Sequence, residues 1–380
     1  MTTTDINLAP RTWAEIDLTA MKNNFRTTKE RAGGRAVMCV IKGNAHGHGA
    51  VPIGLALQEA GADAFATAAM AEAVELREAG ITKPILVLGW TPAALAGDLV
   101  RYRLIQSILD EEYANELNDA CRGLGETLEV HIKLDTGMTR TGIFAQRDHK
   151  KAAEAVCRID KLPNLKITGI FTHFAVADVP ERDDFTEFQR SNFCAVLDEM
   201  EKLGFDRDIT RHTSNSAAIL YHPECRFDMV RAGASLYGFN PKNEEEDIEG
   251  LTPVLTFKTH VAQVKNVPKG ALVSYGLTYE APADMTIAVV AAGYADSYPR
   301  GVSNKGAWAV INGQKCMQIG RVCMDMCMFD VTGKDVHRGD EVILYGKGGM
   351  TLEQLTNLIP TINVEPTCLL TNRVKRIYKE

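Results

Sequence analysis

The chain has 380 residues, of which 45% are hydrophobic and 24% are charged, so it is long enough for two domains and has the composition of a globular protein. Its 42 basic and 49 acidic side chains leave a net charge of −7 with no basic face, which argues against nucleic acid as a partner. The polar residues 1–10 lack the apolar core of a signal peptide, and no apolar run approaches the ~20 residues of a membrane span, so we expect no membrane partner.

Short apolar runs alternate with helical patterns over the first two thirds of the chain. A strand at Thr12–Leu18 and a helix at Leu18–Arg31 come first, and eight further strands follow, each separated from the next by a crossover. These strands are predicted at Ala36–Ile41, Ala64–Ala68, Ile85–Leu88, Leu104–Ile108, Glu129–Leu134, Ile167–Thr172, Ile209–Thr213 and Met229–Arg231. The helices between them are predicted at Val51–Ala60, Met70–Ala79, Glu111–Leu124, Lys150–Arg158 and Asp183–Leu203. The alternation predicts an α/β fold with an N-terminal (β/α)8 TIM-like barrel, which we assign to residues 1–240.

The pattern changes after the acidic run at residues 243–250, which we interpret as a solvated linker. Beyond it, closely spaced turn residues separate short strand-like runs, which predicts a mostly β C-terminal domain at residues 241–380. Its strands are predicted at Leu255–Lys265, Ala271–Val273, Thr286–Ala291, Ala307–Ile311, Lys315–Ile319, Cys327–Val331, Glu341–Tyr345 and Arg373–Tyr378, with a helix at Thr351–Leu358. Nine cysteines lack the spacing of a disulfide framework or a zinc site, so we expect no metal and a cytoplasmic location.

The first barrel strand ends at a single lysine, Lys42, and the glycines Gly43, Gly47 and Gly49 follow it. A lysine at the end of a buried strand is held in place with little water around it. Because desolvation lowers the pKa of an amine, such a lysine can form a Schiff base with a carbonyl compound. The glycines would let the backbone approach an anion such as a phosphate. A lone lysine at a strand end is more often an ordinary solvent-facing side chain, so the residues downstream decide between the two interpretations.

Further polar groups stand at the carboxyl ends of later strands, where barrels of this kind carry their catalytic groups. They are Lys133–Arg140, His173, Asn215–Ser216 and Arg231–Gly233. Taken singly, the histidine would be a core residue and the serine a helix cap, but together with Lys42 they indicate a site. A Schiff-base lysine, small polar groups for a phosphate and an arginine suit pyridoxal phosphate. An arginine beside the pyridine nitrogen would disfavour its protonation, which favours racemisation over transamination.

These residues resemble the motifs of the alanine racemase family. The matching segments are Val40–Gly49, Lys133–Arg140, Thr172–Ala175, Asn215–Ala217, Val230–Gly233, Leu236–Gly238, Val273–Gly276, Gly293–Asp296 and Gly320–Asp325. They occur in the family's order, and the resemblance runs from about Thr12 to Tyr378. It implies a homodimer with shared active sites that uses pyridoxal phosphate to interconvert L-alanine and D-alanine, a small amino acid substrate.

The resemblance also implies catalytic roles. Lys42 would hold the cofactor and act as the base on one face of the α-carbon, and Tyr275 of the partner subunit would be the base on the other face. His173, lying near that tyrosine and bonded to Arg231, would make it a competent base. Arg231 would face the pyridine nitrogen.

Binding roles follow from the same resemblance. Ser216 would contact the phosphate together with the backbone amides of Gly233 and Ala234. Arg140 and the main chain near Met324 of the other subunit would hold the substrate carboxylate.

Three further residues would surround the substrate. Lys133 would either be carbamylated and position the arginine that binds the carboxylate, or form a plain salt bridge. Tyr294 and Asp325 would line the entrance, although both residue types also occur in solvent-facing loops.

Two positions depart from the family pattern. His46 stands where most members have a tyrosine that contacts the phosphate, and because histidine can still donate a hydrogen bond we expect cofactor binding to survive. Asn372 stands where a second tyrosine usually contacts the phosphate and crowds the alanine methyl group. The smaller asparagine relaxes the rejection of larger side chains and could bond to the hydroxymethyl group of serine, so we expect serine racemisation beside alanine.

Several alternatives remain open at this point. The chain could be primarily a serine or broad-specificity racemase, a related barrel-fold decarboxylase, or a non-catalytic pyridoxal phosphate carrier. Tyr275 together with Met324 and Asp325 argues against a decarboxylase, and the β domain after residue 240 argues against a single-barrel carrier. The sequence does not distinguish a role in cell-wall synthesis from one in catabolism.

Overall fold

The structure is a computed structural model that describes residues 10–380. Its strands, numbered in chain order, are β1 Thr12–Asp17, β2 Ala36–Val40, β3 Ala64–Thr67, β4 Ile85–Val87, β5 Ile105–Ile108, β6 Leu128–Asp135, β7 Ile143–Phe144, β8 Leu165–Phe171, β9 Thr210–His212, β10 Met229–Ala232, β11 Leu255–Val267, β12 Leu272–Val273, β13 Tyr279–Glu280, β14 Met285–Val290, β15 Trp308–Ile311, β16 Gln314–Ile319, β17 Cys327–Asp330, β18 Glu341–Tyr345 and β19 Lys375–Lys379. Its helices are α1 Leu18–Arg31, α2 Ala50–Glu59, α3 Met70–Glu78, α4 Ala96–Arg101, α5 Glu111–Leu124, α6 His149–Ile159, α7 Asp183–Lys202, α8 Ser216–Tyr221, α9 Leu352–Asn357 and α10 Glu365–Cys368.

Eight parallel strands form the first sheet, in the order β10-β2-β3-β4-β5-β6-β8-β9, and β7 adds to β6. Two backbone hydrogen bonds join the end strands, from Asp228 N to Arg211 O and from Arg231 N to Ser214 O, both 3.0 Å. The sheet therefore closes into the expected barrel, and each of the eight predicted barrel strands is present. The short helices α4 and α8 were not predicted from the sequence.

The barrel strands are apolar runs because side chains on both of their faces are buried. Every residue of β3 and of β4 is buried. The connecting helices show ordinary capping: Asp110 accepts a hydrogen bond from Tyr113 N at the start of α5, and Gly125 ends that helix in the left-handed conformation with φ 71°. These local signals explain why the barrel elements were predictable with small errors at their ends.

The second sheet is largely antiparallel and has the order β14-β17-β16-β15-β18-β11-β1-β19, with a further pairing of β14 to β11. The long strand β11 makes this closure possible, because its first half pairs with β1 and β18 and its second half pairs with β14. The fold class is thus a barrel followed by a mostly β domain, as expected. The first strand of the chain, however, belongs to this sheet, where it pairs with β11 and in parallel with β19.

Contacts divide the chain into two compact units. The barrel unit holds Lys22–Ala45 and Ala50–Leu236, and the β unit holds the described residues up to Met21, His46–Gly49 and Tyr237–Glu380. The short segment His46–Gly49 therefore packs with the β unit although it lies within the barrel's part of the sequence. Among residues 10–380, no helix has the length and apolarity needed to cross a membrane.

Candidate active site

Cationic side chains gather at the carboxyl ends of the barrel strands. Lys42 follows β2 with one residue between them, Lys133 lies near the end of β6, and Arg231 lies in β10. Lys133 is buried, with 7% of its surface exposed. Burial, and then the charges of Arg140 and Arg231, lower the pKa of Lys133 from 10.5 to about 8. Its Nζ donates a hydrogen bond of 2.7 Å to the hydroxyl of Thr141.

Arg231 is held by hydrogen bonds through both ends of its guanidinium group. Its Nη1 donates to His212 O at 2.9 Å and to His212 Nδ1 at 3.0 Å. Its Nη2 donates to Thr172 O at 2.7 Å, to Thr213 O at 2.9 Å and to His173 Nδ1 at 3.3 Å. These five acceptors are carbonyl oxygens and imidazole nitrogens. Burial lowers the pKa of Arg231 to about 9, so the guanidinium remains charged at neutral pH.

His173 is uncharged at neutral pH. Burial, followed by the charges of Arg231 and three other cations, brings the pKa of His173 well below its usual value of 6.5. Because its Nδ1 accepts a hydrogen bond from Arg231, the proton of this neutral imidazole must sit on Nε2. His173 therefore presents one N–H donor on the side away from Arg231.

The hydrogen-bond chain continues behind Arg231 to two histidines that sequence analysis did not identify. His212 accepts from Arg231 on Nδ1, so its Nε2 carries the proton and donates to His131 Nδ1 at 2.9 Å. The neighbouring Gly169 leaves room for this contact, since a Cβ there would lie 2.6 Å from the His131 ring. His131 lies two residues before Lys133 in β6, and within an apolar strand it has the pattern of an ordinary core residue.

Ser216 marks a cradle of small groups in the barrel unit. It is the first residue of α8, whose N-terminus is capped by the side chain of Asn215. The Ser216 hydroxyl accepts hydrogen bonds from Gly233 N at 2.9 Å and from Ser235 N at 3.2 Å. A Cβ built at Gly233 would lie at ordinary contact distance from its nearest described neighbours, 3.8 Å from Val40 Cβ and 3.9 Å from Ser216 Oγ, so these neighbours do not crowd the glycine. Ala234 begins the 3-10 turn next to it. A hydroxyl and main-chain amides beside an uncrowded glycine suit a phosphate group.

The loop after Lys42 begins with an unusual left-handed turn. Gly43, Asn44, Ala45 and His46 have φ values of 62°, 54°, 52° and 51°. The side chain of Asn44 stabilises it by accepting a hydrogen bond of 2.8 Å from Ala50 N at the start of α2. Asparagine and glycine tolerate this conformation better than other residues, which explains their presence here.

Gly47 and Gly49 make close contacts with protein atoms. A Cβ at Gly47 would lie 1.7 Å from Thr367 O, and one at Gly49 would lie 1.9 Å from the Tyr378 hydroxyl oxygen. We expected these glycines to bring the backbone close to an anion, and the described contacts show that Gly47 and Gly49 are also needed for packing within the β unit. The ring of His46 packs on Tyr237, with 4.6 Å between centroids.

The β unit carries Tyr275 and Met324 on its surface. Tyr275 is 69% exposed and lies in a 3-10 turn, and Met324 is 52% exposed. Together with exposed Leu277 and Met326, both residues line an open cavity of about 790 Å³. Exposed apolar side chains around a cavity are typical of a surface that meets another protein.

Asp296 links three segments of the β unit. It is fully buried and accepts from both Arg11, at 2.7 Å, and Arg373, at 2.6 Å. Burial alone would raise the pKa of Asp296, but the bonds from Arg373 and the main chain lower it below its usual value. Arg373 also bonds Asp325 at 2.7 Å, so the neighbour of Asn372 is fixed to the loop that carries Met324.

The structure thus places the predicted residues in two groups. The barrel unit brings together eight of them: Lys42, Lys133, Arg140, His173, Ser216, Arg231, Gly233 and Ala234. The β unit carries the other six: His46, Tyr275, Tyr294, Met324, Asp325 and Asn372. No group of three or more metal-binding side chains occurs within residues 10–380.

Comparisons with known proteins cover almost the whole chain. Residues 16–241 match the family model of the alanine racemase N-terminal domain, and residues 254–378 match that of the C-terminal domain. An alanine racemase of Clostridium tetani is 40% identical over 371 residues, which cover 96% of this chain and 95% of the relative. The crystal structure of alanine racemase from Streptomyces lavendulae has a TM-score of 0.92 at 36% identity and covers 98% of each chain. That of alanine racemase from Bartonella henselae, with covalently bound pyridoxal phosphate, has a TM-score of 0.87 at 27% identity and covers 97% of this chain and 99% of that chain.

Proposed function

The chain belongs to the alanine racemase family and catalyses the pyridoxal phosphate-dependent interconversion of L-alanine and D-alanine, and we propose that Lys42 and Tyr275 are its two bases. Inverting a carbon centre requires one group to remove a proton from one face and another to return a proton to the opposite face. The cofactor, when bound, withdraws electrons from the α-carbon and so makes its proton removable. Lys42 holds the cofactor and serves one face, and Tyr275 of the partner subunit serves the other.

Arg231 carries the proposal. Five hydrogen bonds to uncharged acceptors hold it as a fixed cation at the end of β10. Arg231 would lie beside the pyridine nitrogen of the bound cofactor, where a fixed cation would donate a hydrogen bond and oppose protonation of that nitrogen, which would favour racemisation over transamination. Ser216 and Ala234 would offer a hydroxyl and an amide to the phosphate, and the Gly233 amide, which donates to Ser216 Oγ at 2.9 Å, would share its proton with the phosphate.

The neutral His173 supports the role of tyrosine as a base. A free tyrosine has a pKa of about 10, so its phenolate needs stabilisation to act near neutral pH. His173 directs its Nε2–H away from Arg231, and a donor of this kind stabilises a phenolate oxygen by a charge-assisted hydrogen bond. We place the phenol of the partner's Tyr275 at this donor.

Lys133 is proposed to be carbamylated. Its pKa of about 8 leaves roughly a tenth of the amine neutral near pH 7, and a neutral amine adds carbon dioxide, forming an N–C bond and releasing one proton. The resulting anion would face Arg140 and Arg231 and would orient Arg140 towards the substrate carboxylate. A carbon-13 resonance from labelled bicarbonate, present in the native protein and absent in Lys133→Met, tests this assignment.

We also propose that two copies share their active sites and that the entrance is lined by Tyr294 and Asp325. Exposed Tyr275, Leu277, Met324 and Met326 support a homodimer, since an apolar surface around a catalytic residue is suited to a second subunit. The nine cysteines are all free, which supports a cytoplasmic location.

Asn372 supports serine as a second substrate, because it leaves more room than tyrosine and offers both a donor and an acceptor. We expect Asn372→Tyr to lower kcat/KM for serine relative to alanine by about tenfold or more. Chiral product analysis with both amino acids measures the ratio. Native serine turnover below ~1% of the alanine rate, a difference of ~2.7 kcal/mol in the barrier, would end this part of the proposal.

Exchange of the α-hydrogen in deuterated water tests the two-base assignment. We expect Lys42→Ala to lose exchange with both enantiomers, because the cofactor is no longer held and one base is missing. Tyr275→Phe should lose racemisation but retain exchange of one enantiomer, the one whose proton faces Lys42. Equal residual exchange of both enantiomers in Tyr275→Phe would show that this tyrosine is not a base, and release of carbon dioxide would indicate a decarboxylase instead.

A further inference from the structure

His46 and Asn372, the two departures from the family pattern, lie in the same compact unit. His46 begins the segment His46–Gly49, and Asn372 lies between α10 and β19. The two segments are therefore held together by hydrogen bonds within the β unit.

The side chain of Arg376, the second residue of β19, bonds to both segments. Its Nε donates to Gly47 O at 3.0 Å. On the other side its Nη2 donates to Leu370 O at 2.9 Å, and its Nη1 donates to Thr371 O at 3.1 Å and to Val374 O at 3.0 Å. Because the donors of a guanidinium lie in one rigid plane, these bonds fix the spacing between the two segments.

Tyr378 supports only one of the two segments. It lies two residues beyond Arg376, on the same face of β19, and its hydroxyl donates to His48 O at 3.0 Å. The side chains of Arg376 and Tyr378 therefore hold two successive carbonyls of the loop. Gly47 also approaches Thr367 O closely, so the same loop packs against α10.

The side chains of interest are fixed through this main chain. The ring of His46 packs on Tyr237, and the bond from Arg376 to the Gly47 carbonyl holds the main chain of the next residue. Asn372 is flanked by Thr371, whose carbonyl Arg376 holds, and by Arg373, which Asp296 holds. The backbone of Asn372 is thus constrained on both sides.

We propose that Arg376 is a positioning residue that fixes the backbone segments of His46 and Asn372 relative to each other. It would thereby tune both the affinity for pyridoxal phosphate and the choice between alanine and serine. The inference rests on the proposed function, because it needs His46 at the phosphate and Asn372 beside the substrate. The four hydrogen bonds described for Arg376 all go to main-chain carbonyls, so it would act through the backbone of the two segments.

The test compares Arg376→Met with two variants of the same strand. Arg376→Met keeps an unbranched chain that reaches about as far as Nε and removes all of the guanidinium donors. Tyr378→Phe removes only the loop bond, and Lys379→Met removes a cation whose ion pair is with Glu15, at 2.7 Å. For each purified holoenzyme we would measure the dissociation constant of pyridoxal phosphate on dilution, the ratio of kcat/KM for serine and alanine, and the melting temperature.

We expect Arg376→Met to weaken cofactor binding about tenfold or more and to change the serine-to-alanine ratio at least about threefold, because charged hydrogen bonds to both segments are lost. Tyr378→Phe should weaken cofactor binding and leave the ratio unchanged, and Lys379→Met should alter neither. If Arg376→Met left the dissociation constant of pyridoxal phosphate or the serine-to-alanine ratio at its native value, whatever its melting temperature, the proposed positioning role of Arg376 would be refuted. A native protein that failed to bind pyridoxal phosphate or to racemise alanine would instead refute the proposed function.

Discussion

Arg231, near the carboxyl end of β10, belongs to a hydrogen-bond chain that includes three neutral imidazoles. Arg231 bonds His173 and His212, and His212 bonds His131. Each of these rings is kept uncharged by burial, and the nearby positive charge of Arg231 adds to the effect. The arrangement fixes the tautomer of every ring, so that Arg231 and the N–H of His173 have defined directions before any ligand binds.

This arrangement makes stability depend on pH. The pKa of His131 falls from 6.5 to about 3 on folding, so between these values the unfolded chain binds a proton that the folded chain does not. The free energy of unfolding must therefore decrease as pH falls below about 6.5, with a contribution from His131 of about 2 kcal/mol by pH 5. Burial shifts His173 and His212 in the same direction.

Urea denaturation at several pH values measures this effect, and His131→Gln provides the comparison. Glutamine keeps an acceptor for His212 and does not titrate, so its stability should change less steeply between neutral pH and about pH 5. Parallel pH dependences for the two proteins would show that His131 is not the titrating group.

Sequence analysis identified His173 and Arg231 but missed His131 and His212, for a physical reason. In the sequence, His173 follows the predicted strand Ile167–Thr172 and Arg231 ends the predicted strand Met229–Arg231, so each stands where a polar residue interrupts an apolar run. His131 and His212 instead fall inside the predicted strands Glu129–Leu134 and Ile209–Thr213, where they have the pattern of core residues, and their contact joins positions 81 residues apart in the chain. A hydrogen bond of this kind leaves no local signal.

At the scale of elements, short-range sequence patterns predicted the positions of the strands reliably. The long-range pairing of those strands was not predicted. All eight barrel strands followed from alternating apolar and helical runs. The pairing of β1 with β11 and β19 was not predicted, because the sheet that a strand joins depends on distant partners. The left-handed turn after Lys42 was also missed, since Ala45 and His46 rarely adopt a positive φ.

The loop after β2 tolerates substitution unequally along its length. Gly43 has φ 62°, and a Cβ there would meet nothing within 4 Å among the described residues, whereas a Cβ at Gly47 would overlap Thr367 O. Gly43→Ala should cost only the strain of the left-handed conformation, about 1–2 kcal/mol. Gly47→Ala should cost about 3 kcal/mol more, because main-chain atoms on both sides must move.

Chemical denaturation of the two alanine variants, with cofactor retention measured beside it, tests this difference. The pair is matched, because both changes add one methyl group at a positive φ in the same loop. Equal stabilities would mean that the close approach of Gly47 to Thr367 does not persist in solution.

At the scale of the whole molecule, the proposed chemistry requires two chains. Lys42 and Tyr275 belong to different compact units, and Tyr275 is exposed beside an apolar cavity. If each site combines Lys42 of one subunit with Tyr275 of the partner subunit, then neither inactive variant alone has a complete site. A hybrid dimer of the two variants, however, has one site with both changes and one site with none.

This geometry predicts complementation. Lys42→Ala and Tyr275→Ala homodimers should each be inactive, and after unfolding and refolding as an equal mixture half of the dimers are hybrids with one native site of two. Racemisation should then return to about a quarter of the native rate per chain. Sedimentation analysis confirms that the mixture is dimeric, and a mixture of Lys42→Ala with itself is the control. If both bases came from the same subunit, every site in the mixture would lack one of them and no activity would return.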